Sequence, residues 1–188
     1  MPPITSRVIL HMAASLDGFI ARRDGRVDWM ETTDEYAAGE TMDPAFVEAF
    51  LKSIDCYVMG SRTYETALDF EAQGHGWVYG DKPTYVLTHR TLPRTRQSVQ
   101  FHAGDLAQLI NETVRPRYKT IWVAGGGALC SEMLRLGLAD EISYAILPVL
   151  IGEGIAFFEP RGSDIALHLK DVKAYRSGMV EMRYEIRK

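Results

Sequence analysis

Two glycine-bearing junctions between a strand and a helix constrain this chain more than any other feature. The first is Met59-Gly60-Ser61-Arg62-Thr63-Tyr64-Glu65, and the second is Val123-Ala124-Gly125-Gly126-Gly127-Ala128-Leu129. Each follows a short run of apolar and β-branched residues and opens a segment with helical spacing. A buried strand that turns straight into a helix belongs to a layered α/β architecture, with ligands outside the carboxyl ends of the strands. At such a turn the helix presents free N–H groups and the positive end of its dipole. Glycine there lets an anion approach the backbone.

The rest of the chain agrees with that architecture. Arg7 to Ala14 reads as a first strand, and Asp43-Pro44 opens a helix to about Lys52, with Asp43 as its cap. Asp55 to Met59 is a buried strand, and Arg62 to about Ala72 is a helix capped by Ser61. Thr84 to Leu87 and Val99 to Phe101 are strands, and Asp105 caps a helix that Pro116 stops after about Val114. Thr120 to Ala124 is a strand, and the triple glycine feeds a helix ending near Gly137. Glu141 to Leu147, Leu167 to Arg176 and Met179 to Arg187 are strands, the last two joined through Ser177-Gly178. Val180, Met182, Tyr184 and Ile186 alternate with charged residues, so the last strand has one buried and one wet face. The expectation is a three-layer α/β fold: a mixed, mostly parallel central sheet with helices on both faces and a C-terminal antiparallel hairpin. At 188 residues, 46% hydrophobic and 24% charged, the chain suits a single domain covering residues 1–188.

Composition excludes several function classes. A net charge of -4 argues against binding to a nucleic-acid backbone. The longest uncharged apolar run, Ile142 to Gly152, contains Pro148 and is too short to span a bilayer. The first residues carry no signal pattern, and Cys56 and Cys130 read as buried thiols of a reducing, cytoplasmic compartment. The five histidines show no i, i+3 or i, i+4 pairing, so no metal site is expected. Gly-x-Ser-x-Gly and zinc-deaminase signatures are absent.

Neither glycine turn is a Rossmann fingerprint, since residue 130 is Cys, and neither is a Walker loop. Each alone reads first as a tight turn before a capped helix; two in one small sheet point to a bound dinucleotide. Lys82, His89, Arg90, Arg94, Arg96 and His102 follow with no acidic residue among them. Such a loop suits an additional phosphate, or is simply a solvated basic loop. Residues 27–50 are acidic, with no Lys or Arg, and either cover a site or form an exposed loop.

Several motifs occur in order: Ala13-Ala14-Ser15-Leu16-Asp17-Gly18-Phe19-Ile20-Ala21, Asp28-Trp29, both glycine turns, Leu147-Pro148-Val149-Leu150-Ile151-Gly152-Glu153-Gly154, and Phe157-Phe158. Together they resemble the dihydrofolate reductase-like superfamily. Within it the chain is most similar to the family of the reductase domain of bifunctional riboflavin-biosynthesis deaminase-reductases. The likeness runs from about Val8 to Ile186, without the deaminase domain.

The resemblance implies an NADPH-binding sheet of about eight strands. It places Ala13, Ala14, Ile20 and Ala21 by the nicotinamide, and Gly60, Arg62 and Thr63 at the adenosine-side phosphates. Thr88 and Arg90 fall by the 2′-phosphate, and Gly125, Gly126 and Gly127 at the pyrophosphate, where the superfamily carries a cis Gly-Gly peptide. Trp29 matches a tryptophan of the mobile loop. Asp34 is then the nearest carboxylate for proton supply, with Asp28 or a water as the alternatives. Ser15, Asp17 and Trp29 are candidate substrate residues. Asp17 also reads as an Asp-Gly turn residue and Ser15 as strand-end filler. Trp29, Trp77 and Tyr64 are candidates for an apolar wall, and residues 17–34 for a lid. The implied reaction is hydride transfer to a C=N or C=O carbon of a small heterocycle resembling a ribosylaminopyrimidine. A dihydrofolate reductase, a noncatalytic nucleotide-binding module and a dimerisation domain are the alternatives. A homodimer through residues 167–187 and strand 142–150 is expected.

Overall fold

The computed structural model describes residues 5–187. In chain order it contains β1 (Arg7–Ser15), β2 (Phe19–Ala21), a single 3-10 turn over Asp28–Met30, α1 (Pro44–Ser53), β3 (Cys56–Gly60), α2 (Ser61–Ala72), β4 (Thr84–Leu87) and β5 (Val99–His102). There follow α3 (Leu106–Gln108), β6 (Thr120–Val123), α4 (Gly127–Arg135), β7 (Glu141–Leu147), β8 (Ile155–Ala156), β9 (Leu167–Ala174) and β10 (Val180–Ile186). Eight strands form one sheet in the order β5-β4-β3-β6-β1-β7-β10-β9. The six from β5 to β7 are parallel, and β10 is antiparallel to both β7 and β9. The expected three-layer, mostly parallel sheet with its antiparallel hairpin is therefore present.

Period-two patterning decides which side chains face which layer. On β1, Val8, Leu10 and Ala14 are fully buried on one face, in the larger core with Leu109, Ile110, Leu129, Cys130 and Met133. That face is covered by α3, its continuation and α4. The opposite face carries a second core of Ile54, Tyr57, Met59, Tyr64, Val86, Val99 and Ala124, covered by α2 and the end of α1. Burying each such side chain contributes about 1.5–3 kcal/mol. Cys56 and Cys130 are buried free thiols, and desolvation pushes the Cys130 thiol up to about 12, so neither is reactive.

Helix α1 begins as its sequence dictates: Asp43 Oδ1 accepts the Ala45 N–H at 2.8 Å, and Pro44 occupies the first turn. At its other end Lys82 Nζ donates to the carbonyls of Leu51 (2.7 Å), Lys52 (3.0 Å) and Ile54, satisfying groups the helix leaves open. Lys82 is therefore a structural cap and not part of a free basic loop.

Two local expectations are corrected, and one element carried no sequence signal. Ser61 does not cap α2; Gly60 holds the cap position, without a side-chain bond, and Ser61 is the first helical residue. The helix after Asp105 is α-helical only over Leu106–Gln108 and then widens to a π-helix over Leu109–Val114. Its cap is as expected, Asp105 Oδ1 accepting the Gln108 N–H at 2.7 Å. The small sheet of β2 and β8 was hidden because two- and three-residue strands carry no measurable period.

Gly127 lies against the β8 backbone: a Cβ there would overlap the Ala156 carbonyl oxygen, whereas a Cβ on Gly162 would meet nothing within 4 Å. Gly127→Ala should lower the urea midpoint by a stability loss of about 1–3 kcal/mol. Gly162→Ala should stay within about 0.5 kcal/mol of the parent. Equal midpoints for the two variants would contradict this packing.

Candidate active site

Strands β3 and β6 are adjacent and parallel, yet the helices that follow them cover opposite faces of the sheet. That divergence opens a crevice at their carboxyl ends, where ligands bind in open α/β sheets. The two glycine turns meet there. The Gly60 N–H donates to the Gly125 carbonyl at 2.8 Å, and a Cβ on Gly60 would lie 3.8 Å from Gly126 N. Gly125 has φ +113, where a side chain would be strained, and its Cβ position is crowded by Met12 Cε at 2.9 Å and Thr63 Oγ1 at 3.4 Å. The Gly125–Gly126 peptide is cis. Gly126 differs: a Cβ there would find only Thr63 Oγ1, at 3.9 Å. Helices α2 and α4 both start at this notch, with Gly60 and Gly126 in the cap positions and, among the described residues, no side-chain cap hydrogen bond at either start. The first N–H groups of both helices, with their dipoles, thus open on one small space.

The notch fits the diphosphate of a dinucleotide. Gly60, Gly125, Gly126 and Thr63 converge on it, and the exposed Arg62 precedes Thr63 in the first turn of α2. The basic stretch beyond is less free than its sequence suggests. Arg90 makes a bidentate pair with Glu65 (3.1 and 2.6 Å), Thr88 Oγ1 accepts the Arg90 N–H at 3.0 Å, and Arg94 bonds the Gln97 carbonyl. Arg96 pairs with Glu71 at 2.5 Å and stacks 4.1 Å over Trp77. A 2′-phosphate at this edge would meet the exposed side chains of Arg62 and His89, with Arg90 already engaged.

A cleft of about 460 Å³ adjoins the notch across β1, whose Met12 packs at Gly125 while Ala13 faces the cleft. Its floor is the polar-alternating side of the β1, β7, β10 and β9 strands. The register aligns His11, Ser143, Arg183 and Asp171 in one row, and Ala13, Ala145, Glu181 and Lys173 in the next. Helix α1 roofs it with Phe46, Val47 and Phe50, and Lys173 Nζ lies 4.3 Å over the Phe46 ring. The face of β10 expected to be wet is therefore the floor of this cleft.

Within it, Glu181 accepts hydrogen bonds from Ser143 Oγ and Tyr175 Oη, each at 3.0 Å. Burial, with the Glu181 charge beside it, pushes Tyr175 up to about 12, so its hydroxyl stays a donor. His11 is packed by Phe50 and Trp122 at ring distances of 5.1 and 5.0 Å. Its Nδ1 is buried with no hydrogen-bond partner among the described residues. Desolvation lowers the His11 pKa below 6.5; Glu181 opposes that shift and Arg183 adds to it.

The other candidate residues fall elsewhere. Ala14 and Ile20 are buried at the carboxyl end of β1 and in β2. Ser15 is fully buried, its Oγ accepting the Phe19 N–H at 3.1 Å. Asp17 holds the turn after Val149, accepting N–H groups of Ile151 (3.2 Å) and Gly152 (2.7 Å). The Ser15 hydroxyl and these backbone donors keep its carboxyl below the usual range, which favours the turn role. Asp28 is held low by Arg22, 2.8 Å away, and is a poor proton donor at neutral pH. Asp34 is exposed and sits against Gly178, which precedes the lining residue Met179, and does not itself line the cleft. Trp29 is buried in its 3-10 turn, Tyr64 is core and bonds the Pro93 carbonyl at 2.6 Å, and Trp77 packs on Tyr64. None of these three lines the cleft; Phe46, Phe50 and Trp122 do. The segment expected as a lid is stitched down by β2–β8, by Asp17 and by the Arg23–Glu153 pair at 2.8 Å.

Among the described residues no group of three or more His, Cys, Asp or Glu is arranged for a metal, and no helix is long and apolar enough to cross a membrane.

Two outcomes test these roles. Asp17→Ala should lower the urea midpoint, because the backbone N–H groups of Ile151 and Gly152 lose their acceptor. His11 has a folded pKa below its unfolded one, so its contribution is complete above pH 6.5 and is lost as pH falls toward the folded value. His11→Phe should therefore lose less stability than the parent between pH 6.5 and 5; identical pH slopes would contradict a buried neutral imidazole.

Comparison with known proteins places the chain. An uncharacterised Bacillus subtilis protein, YwjB, is 29% identical over 178 residues, covering 95% of this chain and 97% of its own. A solved structure from Shewanella sp. PV-4, whose name ties it to riboflavin biosynthesis, superposes with a TM-score of 0.80 at 24% identity, over 97% of this chain and 99% of that one. Enterococcus faecalis dihydrofolate reductase, complexed with NADP(H), superposes with a TM-score of 0.61 at 15% identity, over 99% of both chains, and so shares the fold. Residues 6–180 match the RibD C-terminal domain, and the chain belongs to that family.

Proposed function

We propose that this chain is an NADPH-dependent reductase acting on a small nitrogen heterocycle of the ribosylaminopyrimidine kind. The observation that carries the reading is the pair of uncapped helix ends joined by the Gly60–Gly125 hydrogen bond. The family, and the riboflavin association of the Shewanella relative, support the substrate class.

The residues divide the work. The N–H groups opening α2 and α4, with Thr63 and Arg62, would hold the diphosphate. Ala14 and Ile20, with Ala13, would border the nicotinamide, which supplies the hydride when NADPH is bound. The aromatic roof and wall of Phe46, Phe50 and Trp122 would exclude water from a flat substrate and hold it against β1. Asp34, outside the lining, reaches the reacting edge only through water.

A dihydrofolate reductase is less well supported: the cleft carboxylates, Glu181 and Asp171, rise from the sheet, and no carboxylate of α1 lines it. The exposed Leu167, Leu169 and Val172 of edge strand β9 support pairing with a second copy, as a homodimer.

NADPH should bind the purified protein, with quenching of tryptophan fluorescence, and more weakly as salt rises. Gly126→Ala should fold normally, since the added methyl has room, yet weaken NADPH at least about tenfold by filling the phosphate space. No binding to the parent at hundreds of micromolar would remove the reductase reading.

A further inference from the structure

The cleft contains a polar group that neither the notch nor the fold requires. Glu181 stands on the floor beside Ala13 and Ala145, and His11 and Ser143 occupy the adjoining row. The fold needs no carboxylate there, because Glu181 forms no ion pair among the described residues and its two recorded bonds come from hydroxyls.

Resting on the reductase reading, we propose that Glu181 and His11 are the substrate-recognition residues. Glu181 takes two adjacent N–H donors of an amino-substituted heterocycle, and His11 Nδ1 takes the next polar atom of the same ring.

Four observations converge on this. First, the carboxylate is oriented before any ligand arrives. Ser143 holds one oxygen and Tyr175 the other, each at 3.0 Å. A carboxylate has about four lone-pair sites, so one on each oxygen remains open, the pattern that matches paired N–H groups. Second, His11 is among the residues lining the cleft, and its Nδ1 is buried without a partner among the described residues. Buried polar atoms are nearly always bonded, and an exception in a pocket marks a contact left for a ligand. Third, the His11 ring is fixed by Phe50 and Trp122, and those rings present apolar surface suited to a flat heterocycle. Fourth, the cleft volume of about 460 Å³ lies within the range of small-molecule sites. The ligand edge is thereby specified: donors toward β10 and a hydrogen-bonding ring atom toward β1.

The probe is 5,6-diaminouracil, titrated calorimetrically into the full chain with and without saturating NADPH, and into Glu181→Gln and His11→Phe. Glu181→Gln replaces one acceptor by an amide donor, and His11→Phe keeps the aromatic packing while removing the nitrogen. Each should weaken the probe by about tenfold or more and leave NADPH affinity unchanged. Uracil, which lacks the amino donors, should bind more weakly and be insensitive to Glu181→Gln. Should either variant fail to fold, the ¹⁵N resonance of His11 Nδ1 in the parent decides: it shifts on adding the probe if the proposal holds. Unchanged affinity in the variants, an unmoved Nδ1 resonance, or no probe binding while NADPH binds would each overturn the proposal and leave the reductase reading standing. Glu181-dependent probe binding without NADPH binding would remove the cofactor reading and keep this one.

Discussion

One backbone hydrogen bond, from the Gly60 N–H to the Gly125 carbonyl at 2.8 Å, ties the end of β3 to the turn after β6. It brings two helix starts face to face. Their orphan N–H groups must find acceptors outside the helices, and among the described residues no side chain caps either end. The strand order makes this possible. The chain leaves β1 for β3, builds outward to β5, and returns to place β6 in the gap, so neighbouring strands send their helices to opposite faces. Gly125 and Gly127 are required by crowding against Met12 and the β8 carbonyl, whereas Gly126 keeps space open.

The cleft depends on the same sheet. Its floor reaches past the parallel strands because β10 and β9 extend the sheet beyond β7, and they carry the charged residues Glu181, Arg183, Asp171 and Lys173. Its roof, α1, has no buried residue, and is held by the Asp43 cap, the Lys82 bonds and contacts through Phe50 and Phe46. A helix so lightly packed opens at lower cost than the core elements. That suits a roof over a site that must admit a ligand, while β1 and β7 beneath it stay rigid.

Most of the architecture was legible in the residues. β1, β3, β4, β6 and the C-terminal hairpin carry clear apolar patterning, and Asp43-Pro44 and Asp105 announce their helices through capping chemistry. The glycine turns were legible as close strand-to-helix junctions, and the structure brings the two together through the Gly60–Gly125 bond. Less visible were features decided by tertiary context. Ser61 looks like a cap, yet Gly60 takes that place because its N–H is drawn to Gly125. Arg90, Arg94 and Arg96 read as a free cationic loop, but Glu65, Glu71 and a carbonyl engage them. Glu181 and Arg183 alternate with apolar residues as a solvent face does, and only the helix above them turns that face into a cleft. His11 carries no spacing signal at all. Its place in the cleft follows from the register that sets it beside Ser143, one row from Glu181.

The central claim is that the two helix ends grip one diphosphate. The most direct measurement follows backbone amide resonances of uniformly ¹⁵N-labelled protein during addition of NADPH. The account predicts saturable shifts concentrated at residues 61–63 and 126–128, on both sides of the crevice and with a single dissociation constant. Shifts confined to one helix end, or centred on some other part of the sheet, would contradict it.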